Sequence, residues 1–229
     1  MNSFIKLRNI VKIYGQGQNA FLALKGINLD IDEGEFVALM GPSGSGKSTM
    51  ANILGCLDKA NEGTYLFNGV DVFSLNRKET ALLRRHFIGF IFQGFNLLAR
   101  TTALENVELP LLYRGISAKD RRKKARQALD MVGLLEWENH TSAQLSGGQQ
   151  QRVAIARAIA SEPLFLLADE PTGNLDTKRS IEIMDILKSL NKDMGITILM
   201  VTHEPYMAKY AGREIYFRDG MINNDGVSP

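Results

Sequence analysis

Nine consecutive residues carry the clearest chemistry in the chain: Gly41-Pro42-Ser43-Gly44-Ser45-Gly46-Lys47-Ser48-Thr49. Three glycines at this spacing let successive backbone N–H groups converge on one point, an anion nest. A helix starting beside them would add its own unpaired N–H groups and the positive end of its dipole. Lys47 would bring a mobile cation to the β- and γ-phosphates, and Ser48 a hydroxyl to a Mg²⁺ ion bridging them. The flanks supply the required context: the apolar run Phe36-Val37-Ala38-Leu39-Met40 reads as a buried strand, and Met50 to Leu57 as a helix with one apolar face. A flexible Gly/Ser linker does not sit between two such elements. The stretch implies a site for a nucleoside triphosphate with Mg²⁺.

Two further stretches fit the same chemistry. Leu164-Phe165-Leu166-Leu167-Ala168-Asp169-Glu170 is an apolar strand ending in two carboxylates. A carboxylate at the carboxyl end of a sheet strand can reach the Mg²⁺ held by Ser48, which makes Asp169 a metal ligand. Glu170, one residue on, is placed to take the proton of an attacking water. In Leu145-Ser146-Gly147-Gly148-Gln149-Gln150-Gln151-Arg152, Ser146 can cap a helix whose first turn two glycines open. A second anion-binding helix start is surplus within one subunit. If both starts serve one nucleotide, they do so across a symmetric dimer, one half from each copy.

The remaining residues read as the frame around these groups. Residues 3–13 and Leu22 to Ile31 look like strands before the phosphate loop, with Tyr14 to Asn19 a loop between them; Glu62 to Gly69 gives another strand and turn. Lys78 to His86 reads as a helix, and Phe87 to Phe92 as a buried strand ending at Gln93. From Gly94 to about Gln144 the apolar spacing turns helical, at Val107, Leu111 and Leu112, then at Ala125, Ala128, Leu129 and Val132. Afterwards helices are expected over 148–160, 177–194 and 205–211, and strands over 164–168, 196–201 and, last, Glu214 to Phe217. Central strands without alternation imply a sheet buried on both faces. The fold class is therefore α/β: a P-loop core with an antiparallel β subdomain and an α-helical insert. Residues 1–93 and 145–229 would form the core with its β subdomain, and 94–144 the helical subdomain.

Composition sets bounds. The formal charge is +2 over 229 residues, too small to argue for nucleic acid as a partner, and the run Lys119 to Lys124 has no interleaved aromatics and reads as a solvated helix face. The single cysteine, Cys56, falls at an apolar helix position, where packing is expected, and suits a reducing cytoplasm. No secretory leader is read in residues 1–14, and the longest apolar runs are strand-length, far short of the ~20 residues of a membrane span.

Taken together, Gly41 to Thr49, Gln93, Leu145 to Arg152, Asp169-Glu170, Asn174-Leu175-Asp176 and His203 stand in the order and spacing of an ABC transporter ATPase subunit, and the chain resembles that family over essentially its whole length. The strings Gly55-Cys56-Leu57-Asp58, Phe92 to Leu98, Thr102 to Val107 and Leu167 to Asp176 resemble, more narrowly, the ATPases of the macrolide-exporter and lipoprotein-releasing group, the MacB/LolD type. The resemblance implies ATP as the nucleotide. It implies that Tyr14 stacks on adenine, that Gln93 touches Mg²⁺ and the attacking water, and that His203 reaches the γ-phosphate. It further implies that Ser146, Gly147, Gly148 and Gln149 contact the γ-phosphate held by the opposite subunit, with Asp176 at the same interface. Two positions depart from the pattern: Ala99-Arg100-Thr101 stands where a proline-containing segment is common, and Glu204 where Asp is more usual.

The resemblance implies a cytoplasmic ATP hydrolase, peripheral on the inner face of the membrane, forming a homodimer around two ATP and driving a separately encoded permease for export or membrane extraction of a lipoprotein, macrolide or peptide. The alternative of a different class is an FtsE-type ATPase that signals through a membrane partner to cell-wall hydrolases. An ABC protein working on DNA or the ribosome would need long coiled-coil inserts or two cassettes, and neither is present.

Overall fold

The computed structural model describes residues 3–227. The chain begins with two long strands, β1 (Ile5–Tyr14) and β2 (Phe21–Ile31), which pair antiparallel with Tyr14 opposite Phe21. After the turn at 32–35 comes β3 (Phe36–Met40), then α1 (Lys47–Leu54), β4 (Glu62–Phe67), the two-residue β5 (Val70–Asp71), α2 (Arg77–Phe87) and β6 (Ile88–Phe92). Two helices follow, α3 (Ala103–Tyr113) and α4 (Ala118–Met131). The rest is α5 (Gly147–Ile159), β7 (Phe165–Asp169), α6 (Thr177–Met194), β8 (Thr197–Val201), α7 (Pro205–Ala208), β9 (Arg213–Arg218) and β10 (Met221–Val227).

The strands form two sheets. The smaller has the order β2-β1-β4-β5 and is antiparallel throughout. The larger has the order β10-β9-β3-β8-β7-β6; all its pairs are parallel except β10 with β9. Adjacent central strands far apart in sequence imply helical crossovers, which cover both faces of the sheet. The side chains of β3 show the result: Phe36, Ala38 and Met40 join the core packed by α3 to α6, while Val37 and Leu39 join the core packed by α1 and the small sheet. All five β3 residues are buried, so the strand has no hydrophobic alternation to lose.

Most ends fall within one or two residues of the sequence reading; three places differ by more. Helix α1 begins at Lys47 and stops at Leu54, where the reading ran to Leu57. Gly55 caps it, Cys56 turns left-handed at φ 55°, and the freed carbonyls find partners: Tyr65 Oη donates to Leu54 O at 2.8 Å and Arg84 Nη1 to Cys56 O at 2.6 Å. Helix α7 ends at Ala208 rather than Ala211. Strand β9 is not the last; β10 follows it through a turn at Asp219 and Gly220, both with φ > 0. Its sequence, Met-Ile-Asn-Asn-Asp-Gly-Val, is poor in strand formers, and what makes it a strand is pairing with β9.

Candidate nucleotide site

The phosphate loop is shaped by what its glycines permit. Gly41, directly after β3, has φ 141°, and a Cβ there would meet Phe217 O at 2.1 Å. Gly46 has φ 105° and lies against the backbone of Ala23, so the loop threads between β9 and the small sheet. Gly46 also serves as N-cap of α1 and offers no side chain, which leaves the first-turn N–H groups of α1 without a side-chain cap. Ser45 Oγ is buried and has no hydrogen-bond partner among the described residues. Lys47 is nearly buried and folds back over the loop, with Nζ donating to Gly41 O at 2.7 Å and Pro42 O at 2.8 Å. Burial pulls its pKa below the usual lysine value, against the nearby Glu170 and Asp169 carboxylates, which raise it.

The loop forms one wall of a cleft of about 600 Å³. Phe21 and Ala23 of β2 line it on one side, and Glu170, Val201 and His203 on the other. The large sheet brings the acidic pair there, because β7 lies between β6 and β8 with Asp169 in register with Phe92 and Val201. Burial, and then the Glu170 charge, push the Asp169 carboxyl above the usual range, partly offset by Lys47. Glu170 sits in the left-handed region at φ 46°, its N–H donating to Val201 O at 2.9 Å. A non-glycine residue held there costs about 1–3 kcal/mol, the kind of strain that persists where neighbours over-determine the backbone. Glu170 Oε1 lies 2.9 Å from His203 Nδ1.

Mg²⁺ can be tested against these residues. Ser48 hydroxyl, the half-buried Asp169 carboxylate and the Gln93 amide are hard oxygen donors, and they are few. Mg²⁺ keeps several waters and takes substrate phosphates as ligands, so a sparse set of this kind fits it. Among the described residues no group of three or more His, Cys, Asp or Glu could hold a metal ion.

The structure thus brings Gly41 to Gly44, Gly46 to Thr49, Glu170 and His203 to one cleft, with Ser45 buried within the loop and Asp169 beside Glu170. Gln93, just after β6, lies outside its lining; its carbonyl accepts from Asn174 Nδ2 at 2.9 Å, and its side chain packs on Gly173 so closely that a Cβ there would come within 2.7 Å of Nε2. Tyr14 does not line the cleft either. Its Oη donates to Asp58 at 2.9 Å, Lys12 Nζ sits 4.8 Å from its ring centroid, and the aromatic in the cleft is its cross-strand partner Phe21. Only that register could have pointed to Phe21.

Ser146 to Gln149 lie elsewhere. Ser146 caps α5 in a capping box with Gln149, as the residue types suggest. Ser146, Gly148 and Gln149 line a separate hollow of about 260 Å³ with Arg152 and Arg179. Asp176 caps α6 and pairs with Arg179 at 3.2 Å, and the Arg179 stem lies close against Gly148, a contact without a sequence signal. Glu204 accepts from Thr172 Oγ1 at 3.3 Å.

A phosphate cradle at the end of a parallel strand, a strand-end acidic pair and a helix-capping Ser-Gly-Gly in one α/β chain define an ATP-binding cassette. The family model described as ABC transporter matches residues 24–173. The chain is 52% identical over 225 residues to the ABC transporter ATP-binding protein MJ0796 of Methanocaldococcus jannaschii, covering 96% of each. It is 53% identical over 218 residues to the ABC transporter ATP-binding protein YknY of Bacillus subtilis, covering 95% of this chain and 94% of that one. It is also 51% identical to the macrolide export ATP-binding/permease protein MacB of Marinobacter nauticus, spanning 34% of that longer protein. A dimeric structure of MJ0796 in a post-hydrolysis state, bound to ADP and Pi, superposes with a TM-score of 0.90 at 48% identity, covering 98% of this chain and 99% of that one. The chain belongs to the ABC transporter family. Within it, the chain is an ATP-binding, ATP-hydrolysing cassette, and the expected fold class and family hold.

Proposed function

We propose that the chain is the ATPase subunit of an exporting or membrane-extracting ABC transporter, working as a homodimer that encloses two ATP between its copies. The observation that carries this reading is the separation of the two anion-binding helix starts: the cradle at α1 and the Ser146 cap at α5 line different hollows of one subunit. Each is half of a phosphate site, and a twofold axis completes both at once. The dimeric MJ0796 structures support it.

In this reading Lys47 leaves the Gly41 and Pro42 carbonyls for the β- and γ-phosphates, and the open N-terminus of α1 holds their charge. Ser48, Asp169 and Gln93 would hold Mg²⁺, which would supply positive charge against that of the phosphates. Glu170 takes the proton of the attacking water, and His203, already hydrogen-bonded to Glu170, reaches the γ-phosphate. Tyr14, fixed by Asp58 and Lys12, stacks on the base. Ser146, Gly147, Gly148 and Gln149 meet the γ-phosphate of the opposite copy, with Asp176 beside them.

Residues 1–93 and 145–229 act as the core and 94–144 as the helical subdomain. Between them runs a groove of about 450 Å³ lined by Phe90, Phe92, Leu109, Pro110 and Tyr113, with Arg84, Arg85 and Arg157 at its sides. It suits a short helix of a permease. Among the described residues no helix is long and apolar enough to cross a membrane. In this reading the permease is a separate chain and the ATPase works at the cytoplasmic face, as the family resemblance implies.

The test is Glu170→Gln. Hydrolysis should fall roughly a hundredfold or more, while ATP shifts the protein from monomer to dimer in size-exclusion chromatography. A variant that hydrolyses ATP at the wild-type rate removes Glu170 from the base role. Capture of the ATP-loaded variant on detergent-solubilised membranes then asks for the permease.

A further inference from the structure

Two consecutive residues just beyond Gln93, Phe95 and Asn96, are left-handed at φ 59° and 50°. Neither is glycine, and one such residue is already uncommon. The turn they make is tight, with Asn96 N donating to Gly94 O at 2.6 Å. What holds it is one side chain from α5: Arg157 donates through Nη1 to Asn96 O at 2.6 Å and through Nη2 to Phe95 O at 2.8 Å. The fork of a guanidinium matches two adjacent carbonyls, which a single ammonium cannot do. The arginine serves these carbonyls at the cost of its hydration, and burial alone lowers its pKa. Its other surroundings matter as much, because Arg157 and Asn96 both line the groove beside Phe90, Phe92 and Tyr113. On the other flank, Gln93 is fixed between Asn174 and Gly173.

We propose that Arg157 is a positioning residue for Gln93: its guanidinium keeps the Phe95–Asn96 turn in the left-handed form, and the turn fixes where β6 delivers Gln93. This rests on the reading that Gln93 works at the Mg²⁺ and the water.

The test is steady-state ATP hydrolysis by the full chain. Arg157→Ala should lower kcat roughly tenfold to a hundredfold, the scale set by small misplacements of a reacting group, with KM for ATP near wild type because no nucleotide contact is touched. Adding Asn96→Gly should restore most of kcat, since glycine adopts the left-handed form unaided. A loss due only to the missing arginine packing would not respond to that second change. Should Arg157→Ala fail to fold, Arg157→Lys carries the same test, with a smaller kcat defect that Asn96→Gly also repairs. An unchanged kcat on losing the guanidinium, or no repair by Asn96→Gly, overturns the proposal. Gln93→Ala separates the two levels. If it hydrolyses ATP normally, the role of Gln93 is wrong and the proposal falls with it; if it is slow while Arg157→Ala is normal, the clamp alone is wrong.

Discussion

Cys56 is the one thiol of the chain, and its surroundings make it inert. Burial pushes its pKa from 9.0 up to about 11, with smaller opposite contributions from Tyr65 and Arg84. The sign of the linkage follows: below pH 9 the thiol is neutral in both states, whereas between about 9 and 11 the unfolded chain ionises first and folding loses stability. The loss is at most about 3 kcal/mol. Cys56→Ala should flatten that alkaline decline in denaturant titrations across pH, and the native thiol should resist aromatic disulfide reagents at pH 8 until the protein unfolds. At the same scale, Gly41→Ala drives a methyl into Phe217 O at a position whose φ of 141° is strained for any side chain. It should cost about 2 kcal/mol or more and abolish nucleotide binding, read by thermal melts with and without ATP. The chemistry of Gly41 to Thr49 was legible in the sequence because residue type and spacing define it. The left-handed backbone of Glu170 was not, since it depends on Val201, distant in sequence; the lysine folded onto Gly41 and Pro42 was not, since residue type and spacing do not say which oxygens its Nζ meets.

Among the elements, α3 shows how a helix holds the segment before it. Thr102 and Glu105 form a capping box, and Asn106, fully buried, accepts from Leu98 N at 2.8 Å and donates to Thr101 Oγ1 at 2.7 Å and Thr102 O at 3.0 Å. Asn106→Leu leaves Leu98 N–H and the Thr102 carbonyl without this partner, a loss of about 1–3 kcal/mol. Amide exchange should accelerate over residues 98–102 first, and exchange confined to other segments would count against this account. The periodicities that announced the helices were right in kind, and α6 runs over 177–194 as read; the ends of α1 were not, because Gly46 starts it earlier and a left-handed Cys56 prevents it from continuing. Strand β10 went unread for a different reason: its residues do not favour a strand, and its partner strand creates one.

For the molecule as a whole, the two hollows that hold the cradle and the Ser146 cap lead to a separation of binding from pairing. In a Glu170→Gln background, Ser146→Arg should leave ATP affinity of the single subunit unchanged and prevent the ATP-induced dimer, with equilibrium dialysis reading the first and sedimentation the second. A parallel loss of both would place Ser146 in the cradle of its own subunit. The sequence carried both helix starts, but that they line different hollows was visible only in the folded chain.

Gly220, in the turn between β9 and β10, donates from its N–H to Ser45 O at 3.0 Å and accepts from Lys25 N–H at 2.9 Å; it lies so close to Ala23 that a Cβ would come within 2.7 Å of that residue's carbonyl. It therefore wedges the phosphate loop against the small sheet, although no sequence motif marks it. In the order of synthesis, the loop is complete by residue 49, yet the residue that braces it follows only after β9 has been made. Domains fold as units while the chain emerges, and the cradle gains this brace only when β9 and the turn after it are in place.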